Sequence, residues 1–344
     1  MPIDAFLLLS FGGPEGPDDV MPFLRNVTAG RGVPEERLLE VVEHYQHFGG
    51  VSPINEQCRA LLREVERDFR EQGVELPLYW GNRNWHPMLA DTLARMRDDG
   101  VEHAVAFATS AYAGYSSCRQ YLEDIAAARA TVGPGAPEVT KLPHFFDRPG
   151  FVEPHVDAVR EALAKVGPDA HLVFTAHSIP VSMARTAGPE GQLYEAQLRE
   201  TARLVAERVD PSLSWDLVWQ SRSGPPHIPW LKPDVNDFLR TLKERGTTAV
   251  VVSPIGFVSD HLEVVWDLDT EAAATAAELR LAYARAATPG TDPRFVRMIT
   301  ELVRAELPDH RTAPSDARPT QSLGTLSTVR TCGAGCCPAP ARRG

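Results

Sequence analysis

The chain has 344 residues, of which 43% are hydrophobic and 24% are charged, and its formal net charge is −11 at pH 7. The length suffices for about two domains of ordinary size, and this composition is typical of globular proteins. The acidic balance argues against a general nucleic-acid binder, which needs a basic face, and the chain has no apolar run of about 18 residues that would predict a transmembrane helix.

Short apolar runs alternate along the chain with longer segments of helical spacing. The first run begins at Ala5 with no basic residue ahead of it, so it is predicted as a strand rather than a secretory signal, and a cytoplasmic protein is expected. The predicted strands lie at 5–10, 76–81, 103–109, 138–142, 171–176, 215–219, 248–254 and 278–283. The predicted helices lie at 34–47, 55–71, 87–99, 152–165, 190–209, 233–245 and 293–307.

Strands that alternate with helices predict parallel sheets with βαβ crossovers. Four predicted strands precede Arg148-Pro149-Gly150 and four follow it. We therefore expect two similar Rossmann-like α/β lobes, each a small parallel sheet flanked by helices, at residues 1–148 and 149–307. The region 308–344 is rich in Pro, Ser, Thr and Arg without apolar periodicity, which predicts an extended tail.

A single histidine, His177, stands where the apolar run 171–176 ends, shortly before Pro180 breaks the strand. Catalytic groups of open α/β sheets lie at the carboxyl ends of strands, and a neutral imidazole can bind a metal ion or accept a proton. A hydrogen-bonded core histidine is the alternative for an isolated residue of this kind. His177 is therefore a candidate catalytic residue and metal ligand.

Three carboxylates, Glu263, Asp267 and Glu271, follow the seventh predicted strand at a spacing of four residues, and Asp260 is predicted as the N-cap of their helix. On an α-helix they form a slowly drifting line, which a π-bulge would align better. Like charges at this spacing repel by roughly 0.2–0.5 kcal/mol per pair, so a bound cation would relieve them. A solvated helix face is the alternative, but the apolar neighbours favour an ion path that faces His177 across one crevice.

The chain resembles the ferrochelatase family over about residues 3–310 and in its cysteine tail, and it is most similar to the actinobacterial type that inserts iron into coproporphyrin III. Several long segments carry the resemblance in the same order along the chain. They are Leu8-Leu9-Ser10-Phe11-Gly12-Gly13-Pro14-Glu15, Gly49-Gly50-Val51-Ser52-Pro53-Ile54, Thr175-Ala176-His177-Ser178-Ile179-Pro180, Val218-Trp219-Gln220-Ser221, Pro229-Trp230-Leu231 and Phe257-Val258-Ser259-Asp260-His261-Leu262-Glu263. The resemblance implies a chelatase-like lyase of haem biosynthesis, with ferrous iron and coproporphyrin III as substrates and a downstream haem-pathway enzyme as a partner.

The resemblance also implies roles for the residues of the crevice. His177 and Glu263 would bind ferrous iron or take protons from the pyrrole nitrogens, and both roles remain open for each of them. Asp267 and Glu271 would form a relay for metal or protons. Physical reasoning agrees, because carboxylate and imidazole are both acceptable ferrous ligands.

Six residues are candidates for contacts with the porphyrin. Tyr45, Ser52 and Tyr121 fall where family members contact the ring and its propionates. Phe11 and Trp230 could clamp the flat disc, with ordinary packing as the alternative, and Arg31 could pair with a peripheral carboxylate, with a plain surface arginine as the alternative. Phe11 also stands where some relatives carry a tyrosine, so ligation of the product iron by this residue is not expected.

The chain has five cysteines, an odd count that favours metal or redox roles over disulfides in a cytoplasmic protein. The resemblance implies a [2Fe–2S] cluster that takes Cys332, Cys336 and Cys337 from the tail and Cys118 as its internal ligand. Cys58 is interpreted as a buried structural thiol and is the alternative fourth ligand. A zinc site or free thiols are the alternatives to a cluster.

The primary hypothesis is therefore a ferrochelatase that acts on coproporphyrin III, with protoporphyrin IX as the alternative ring. Another chelatase of the same class, acting with cobalt or nickel on a sirohydrochlorin-like ring, is the alternative enzyme. The pairing of His177 with Glu263 rather than with a second histidine favours iron. A haem- or iron-binding carrier or sensor that performs no chemistry is the alternative from another functional class.

Overall fold

The computed structural model describes residues 2–30, 32–224, 227–308, 322–326, 333 and 335–339. Its strands are β1 (Ala5–Ser10), β2 (Leu78–Asn82), β3 (His103–Ala108), β4 (Glu138–Lys141), β5 (His171–His177), β6 (Trp215–Gln220), β7 (Ala249–Ser253) and β8 (Ala282–Arg285). Its α-helices are α1 (Pro17–Val27), α2 (Glu35–His47), α3 (Ile54–Glu71), α4 (Leu89–Asp98), α5 (Gln120–Val132), α6 (Pro149–Val166), α7 (Val181–Arg185), α8 (Leu193–Val209), α9 (Val235–Glu244), α10 (Leu262–Val264), α11 (Ala273–Glu278) and α12 (Pro293–Arg304). Two π-helical segments, π1 (Tyr115–Arg119) and π2 (Val265–Ala272), precede α5 and α11.

The strands form two parallel four-stranded sheets, in the orders β2-β1-β3-β4 and β6-β5-β7-β8. The two orders are the same when the second set of four strands is counted from β5. This is the pair of similar α/β lobes that the sequence predicts, and the prediction of fold class is confirmed. In each sheet the second strand is added on one side of the first strand and the third strand on its other side. A topological switch point therefore lies between β1 and β3 and another between β5 and β7.

Burial on both faces explains the central strands. β1 is buried at every residue, with Phe6 and Leu8 in one hydrophobic cluster and Leu7 and Leu9 in another. This alternation follows from the two-residue period of a strand, and helices cover both faces of each sheet. The continuous apolar runs in the sequence are therefore the signature of parallel strands.

One hydrophobic cluster extends from the first half of the chain into the second. Phe145 stacks on Phe107 of β3 at a centroid distance of 4.9 Å and meets Phe151 of α6 edge-on at 5.4 Å. The last helix packs near both halves, because Arg297 of α12 forms an ion pair with Asp68 of α3 at 2.8 Å. The chain is thus packed continuously across residue 148, and the predicted division at 148 and 307 stays a prediction.

Two parts of the predicted element list were wrong. The eighth strand lies at Ala282–Arg285 rather than at 278–283, because helix α11 continues to Glu278 and the chain then turns through Arg280 at φ +51°. The predicted helices also did not include α1, α5 or the short α7. α1 begins with proline at its first position, where no hydrogen bond of the backbone N–H is lost, and carries a second proline inside it.

Candidate active site

His177 is the last residue of β5, and one hydrogen bond holds its imidazole while another holds its backbone. Its Nδ1 lies 2.5 Å from the carbonyl oxygen of Ser178. A carbonyl can only accept, so Nδ1 carries the proton and Nε2 is left with its lone pair. The hydroxyl of Tyr194 donates to the carbonyl oxygen of His177 at 2.9 Å and holds the backbone in place. The strand end therefore presents a basic nitrogen in a defined orientation.

Glu263 faces this nitrogen from the helical turn α10. The distance between Nε2 of His177 and Oε2 of Glu263 is 3.6 Å, and the two side chains are 33% and 51% exposed. Two electron-pair donors this close attract a proton or a metal cation into the space between them. The structure therefore brings the two predicted catalytic residues together, and both stay accessible to a substrate.

The predicted row of carboxylates runs along the segment from α10 into π2. An α-helical turn holds fewer than four residues and a π-helical turn more than four, so a mixed segment brings residues four apart closer to one line. Glu263 lies in α10, whereas Asp267 and Glu271 lie in π2. The π-helical distortion that the carboxylate spacing favours is thus present at this position.

Asp267 is the central carboxylate and is held by two side chains from the end of β6. Its Oδ2 accepts hydrogen bonds from Nε2 of Gln220 at 3.2 Å and from the hydroxyl of Ser221. Burial, and then the negative charges of Glu263 and Glu271, raise the pKa of Asp267 to about 7, although the bond from Ser221 opposes the shift. Asp267 can therefore bind and release a proton near neutral pH.

Neither Gln220 nor Ser221 is among the site residues predicted from the sequence. The structure shows the position of Gln220, because β6 pairs with β5 in a register that sets Gln220 beside His177 at the same sheet edge. Ser221 has a backbone φ of +59°, which no sequence pattern reveals for a serine. Both residues were within a segment of the family resemblance, but the resemblance alone gave them no chemistry.

Glu271 lies at the outer end of the row and is bound by an aromatic side chain. Nε1 of Trp266 donates to Oε1 of Glu271 at 2.8 Å. The same indole stacks on His44 of α2, with ring centroids 4.0 Å apart and an angle of 11° between the planes. Trp266 therefore joins the carboxylate segment to α2.

The prediction that Asp260 caps the helix was wrong. The N-cap position is His261, and no side chain caps the helix there. Asp260 instead accepts from Nη1 and Nη2 of Arg285, at 3.1 and 3.0 Å, and from the hydroxyl of Thr288 at 3.1 Å. A charge-assisted pair with a guanidinium is stronger than a hydrogen bond to a backbone N–H, so the tertiary contact overrides the local preference.

Two of the predicted porphyrin contacts, Phe11 and Tyr45, both lie edge-on to Phe23 of α1. The ring centroids lie 6.3 and 6.0 Å from that of Phe23, and Phe11 is 37% exposed. Burial and the charge of Glu263 raise the pKa of Tyr45, which places this phenol within electrostatic reach of the carboxylate. Phe11 and Tyr45 therefore pack against the same side chain of α1, and Tyr45 also lies near Glu263.

The remaining porphyrin candidates lie at different depths. Ser52 is buried and its backbone N–H donates to the carbonyl oxygen of Pro14 at 2.9 Å. Tyr121 is buried under the guanidinium of Arg83, at 4.5 Å from its ring. Trp230 is half-buried, and its indole nitrogen makes no hydrogen bond with the described residues. Arg31 lies outside the residues that the structure describes, and contact of any of these with a porphyrin stays a prediction.

The described cysteines lie in the tail, in π1 and in α3. Sγ of Cys336 and Sγ of Cys337 lie 3.7 Å apart, and the backbone N–H of Gly188 donates to the sulfur of Cys337 at 3.1 Å. Cys118 is buried in π1, and Cys58 is buried in α3, where burial raises the pKa of its thiol to about 11.

Cys332 lies outside the described residues. Within the described part of the chain, no group of three or more His, Cys, Asp or Glu side chains is arranged to hold a metal ion. The iron–sulfur cluster is therefore not confirmed. In the same part of the chain, no helix combines the length and the apolar character needed to cross a bilayer.

A sequence profile described as ferrochelatase matches residues 3–307 of this chain. The coproporphyrin III ferrochelatase of Nocardia farcinica is 56% identical over 350 residues, which cover 100% of this chain and 98% of the relative. The protein of the same name from Streptomyces griseus is 52% identical over 356 residues, which cover 99% of this chain and 94% of the relative.

The fold also has solved relatives. The structure of SirB from Bacillus subtilis with Fe³⁺ aligns with a TM-score of 0.54 and 12% sequence identity, covering 90% of this chain and 97% of that chain. A sirohydrochlorin chelatase SirB in complex with cobalt aligns with a TM-score of 0.50 and 11% identity, covering 89% and 97%. At this level of identity the likeness establishes the shared fold and nothing about the substrate.

Proposed function

This chain belongs to the ferrochelatase family, and from that premise we propose that it inserts ferrous iron into coproporphyrin III and releases Fe-coproporphyrin III (coproheme). The observation that carries the proposal is the 3.6 Å distance between Nε2 of His177, at the carboxyl end of β5, and Oε2 of Glu263, in the helical turn α10 that follows β7. The enzyme is a lyase of haem biosynthesis. Its location in the cytoplasm and a downstream haem-pathway partner stay predictions from the sequence.

The reaction exchanges two protons for one metal ion. Fe²⁺ enters the ring as two pyrrole N–H groups lose their protons, so the charge balances. Nε2 of His177 accepts the two protons one after the other, because its Nδ1–H is committed to Ser178, and the carboxylate of Glu263 binds the incoming ion. One carboxylate ligand from the protein is fewer than a resident metal site uses, so the ion can leave for the four ring nitrogens.

Asp267 continues this path away from the ring. Its pKa of about 7 lets it receive a proton from His177 near neutral pH, and Gln220 and Ser221 orient its carboxylate. Glu271 lies beyond it at the outer end of the row. We assign the row to proton export and ion delivery, which are compatible because both move positive charge along one line of carboxylates.

The test is an anaerobic assay with Fe²⁺ and either coproporphyrin III or protoporphyrin IX in parallel. Loss of free-porphyrin fluorescence over many turnovers is expected with coproporphyrin III. Binding of one equivalent without turnover would support a carrier or sensor instead, and a preference for protoporphyrin IX would overturn the assignment of the ring.

A matched pair of histidine variants on β5 tests the site. His177→Ala is expected to abolish turnover while coproporphyrin still binds, because only the base is removed. His171→Ala, at the other end of the same strand, loses a 2.9 Å contact with Asp216 and is expected to keep its turnover. Near-normal turnover of His177→Ala would remove His177 from the mechanism.

We further propose that the tail cysteines hold a [2Fe–2S] cluster with one internal cysteine. The adjacent sulfur atoms of Cys336 and Cys337 and the N–H of Gly188 support it, because clusters are bound by thiolates that accept backbone hydrogen bonds. When bound, such a cluster would supply redox chemistry and a covalent tie between the tail and the body. Cys332 and Cys118 would complete the ligand set.

Visible absorption and electron paramagnetic resonance after anaerobic, iron-replete purification test the cluster. Cys332→Ser and Cys118→Ser are expected to bleach the protein, whereas Cys58→Ser is expected to stay coloured. A bleached Cys58→Ser together with a coloured Cys118→Ser would reassign the internal ligand. A colourless wild type would overturn the cluster altogether.

A further inference from the structure

We propose that Tyr283 and Arg285 of β8 are positioning residues for iron insertion, because they fix the shape of the carboxylate segment 260–272 without touching the crevice. The proposal rests on the proposed function. The two residues are separated by one position, so their side chains leave the same face of the strand. Both contact the segment that carries Glu263 and Asp267.

Tyr283 holds the middle of the segment. Its hydroxyl donates to the carbonyl oxygen of Leu268 at 2.8 Å, and Leu268 directly follows Asp267 inside π2. Burial raises the pKa of Tyr283, so the phenol remains a donor over the whole working range of pH. The bond fixes the backbone beside the central carboxylate, where π-helical hydrogen bonds alone are weak.

Arg285 holds both ends of the same stretch. Its Nη1 and Nη2 bind Asp260, ahead of the helix, and its Nε donates to Oδ1 of Asp269 in π2 at 2.6 Å. The side chain of Arg285 is only 16% exposed, so these bonds are poorly screened by water. One guanidinium thus sets the distance between the residues that flank Glu263 and Asp267.

Tyr283 and Arg285, with their contacts to the segment 260–272, form a clamp. Asp260, at the start of that segment, is also anchored to the other half of the chain. The backbone N–H of Asp260 donates to Oε1 of Gln57 in α3 at 3.0 Å, and Thr288 donates to the carboxylate of Asp260. The carboxylate row therefore takes its position from three elements, α3, β8 and the loop that follows β8.

Physical chemistry explains why such a clamp is needed. Carboxylates on one helix line repel one another, and π-helical turns are rare and occur mostly as single turns within α-helices. Left alone, π2 would relax towards an α-helix and rotate Asp267 away from Glu263. Tyr283 and Arg285 oppose this rotation, so we expect them to act on the rate of metal insertion through the row.

The chain offers matched controls with the same chemistry elsewhere. Tyr79 donates its hydroxyl to Asp99 at 2.8 Å, and Arg297 binds Asp68 through Nε at 2.9 Å. Neither pair contacts the segment 260–272. Tyr79→Phe and Arg297→Lys therefore remove the same kinds of bond from the fold without disturbing the row.

The experiment compares Tyr283→Phe and Arg285→Lys with these two controls. Because small misplacements of reacting groups are costly, we expect both β8 variants to lose about tenfold in kcat/KM for Fe²⁺, with the KM for coproporphyrin III within about twofold of wild type. The controls are expected to keep their kcat/KM for Fe²⁺. A wild-type kcat/KM for Fe²⁺ in Tyr283→Phe, or an equal loss of kcat/KM in the controls, would overturn the proposal.

Amide hydrogen exchange of a peptide that covers 262–273 gives a readout without turnover. We expect exchange to be faster in both β8 variants and unchanged in the controls, because the clamp restrains local opening. Unchanged exchange in both β8 variants would refute the clamp. If the wild type inserts iron into neither ring, the proposed function fails, and the exchange data still decide whether β8 restrains the segment.

Discussion

The hydroxyl of Ser221 donates a hydrogen bond to the carboxylate of Asp267 from a backbone with φ of +59°. A residue with a side chain adopts this left-handed region at a cost of about 1–2 kcal/mol. Such strained conformations persist where the surrounding structure holds them in place. Here the conformation directs the hydroxyl of Ser221 to Asp267, the carboxylate with the raised pKa. The turn after β6 is therefore part of the site.

Replacement of Ser221 by alanine or by glycine distinguishes the effect of losing the hydroxyl from the effect of relieving the backbone strain. Both variants lose the bond to Asp267, so both are expected to lose about tenfold in kcat, in line with a hydrogen bond to a charged group. Ser221→Gly also relieves the strain and is expected to be more stable than Ser221→Ala by about 1 kcal/mol. Turnover and urea unfolding measure the two effects. Full activity of the glycine variant would show that the hydroxyl is dispensable.

The raised pKa of Asp267 predicts a pH-dependent stability. Between the unfolded pKa of about 4 and the folded pKa of about 7, the folded protein binds a proton that the unfolded chain does not, so Asp267 lowers stability as pH rises through this window. Asp267→Asn cannot ionise. Its stability advantage over wild type is expected to grow from pH 4 to pH 7, level off above, and reach about 1–2 kcal/mol after allowance for solvent screening.

The exposed Asp210 serves as a control, because its pKa is shifted in the opposite direction from that of Asp267. Hydrogen bonds from Ser212 lower the pKa of Asp210, so its contribution to stability is present at neutral pH and is lost only in acid. Asp210→Asn is expected to show no change in its stability difference between pH 5 and pH 8. Thermal unfolding across this range checks both variants, and a flat profile for Asp267→Asn would contradict the raised pKa.

The pairing of His177 with Glu263 could be predicted because it depends on local rules. Each residue follows a recognisable buried strand, and the carboxyl ends of strands that flank a switch point open into one crevice. A π-bulge would align the four-residue spacing of the carboxylates better than a regular α-helix, and Asp267 and Glu271 lie in π2.

The partners that shape the row could not be predicted, because they are distant in sequence. Arg285 reaches Asp260 across 25 positions and takes the carboxylate that local rules assigned to a helix cap. Gln220 and Ser221 lie 47 and 46 positions before Asp267. A sequence pattern reports which face of an element is buried, but only tertiary packing decides which polar group meets which.

Trp266 joins the carboxylate segment to α2, and two substitutions separate its contacts. Trp266→Phe keeps a ring against His44 but loses the N–H bond to Glu271, so we expect about a threefold change in the KM for Fe²⁺ with little loss of stability. Trp266→Leu also loses the stacking and is expected to be less stable than Trp266→Phe by about 1 kcal/mol. Urea unfolding compares the two, and equal stability would show that the stack contributes nothing.

Gly188 contacts the tail through Cys337, so its substitution tests whether this turn supports the cysteine site. Its φ is +84°, and a Cβ placed there would lie 2.6 Å from Cβ of Leu193. Gly73 has φ of +65° with no heavy atom within 4 Å of such a Cβ, so Gly73→Ala bears only the backbone cost of about 1 kcal/mol. Gly188→Ala adds overpacking of about 1–3 kcal/mol and displaces the N–H that binds Cys337, so we expect a larger loss of stability together with weaker visible absorption per protein. Equal stability of the two variants, or undiminished colour in Gly188→Ala, would show that this turn does not support the cysteine site.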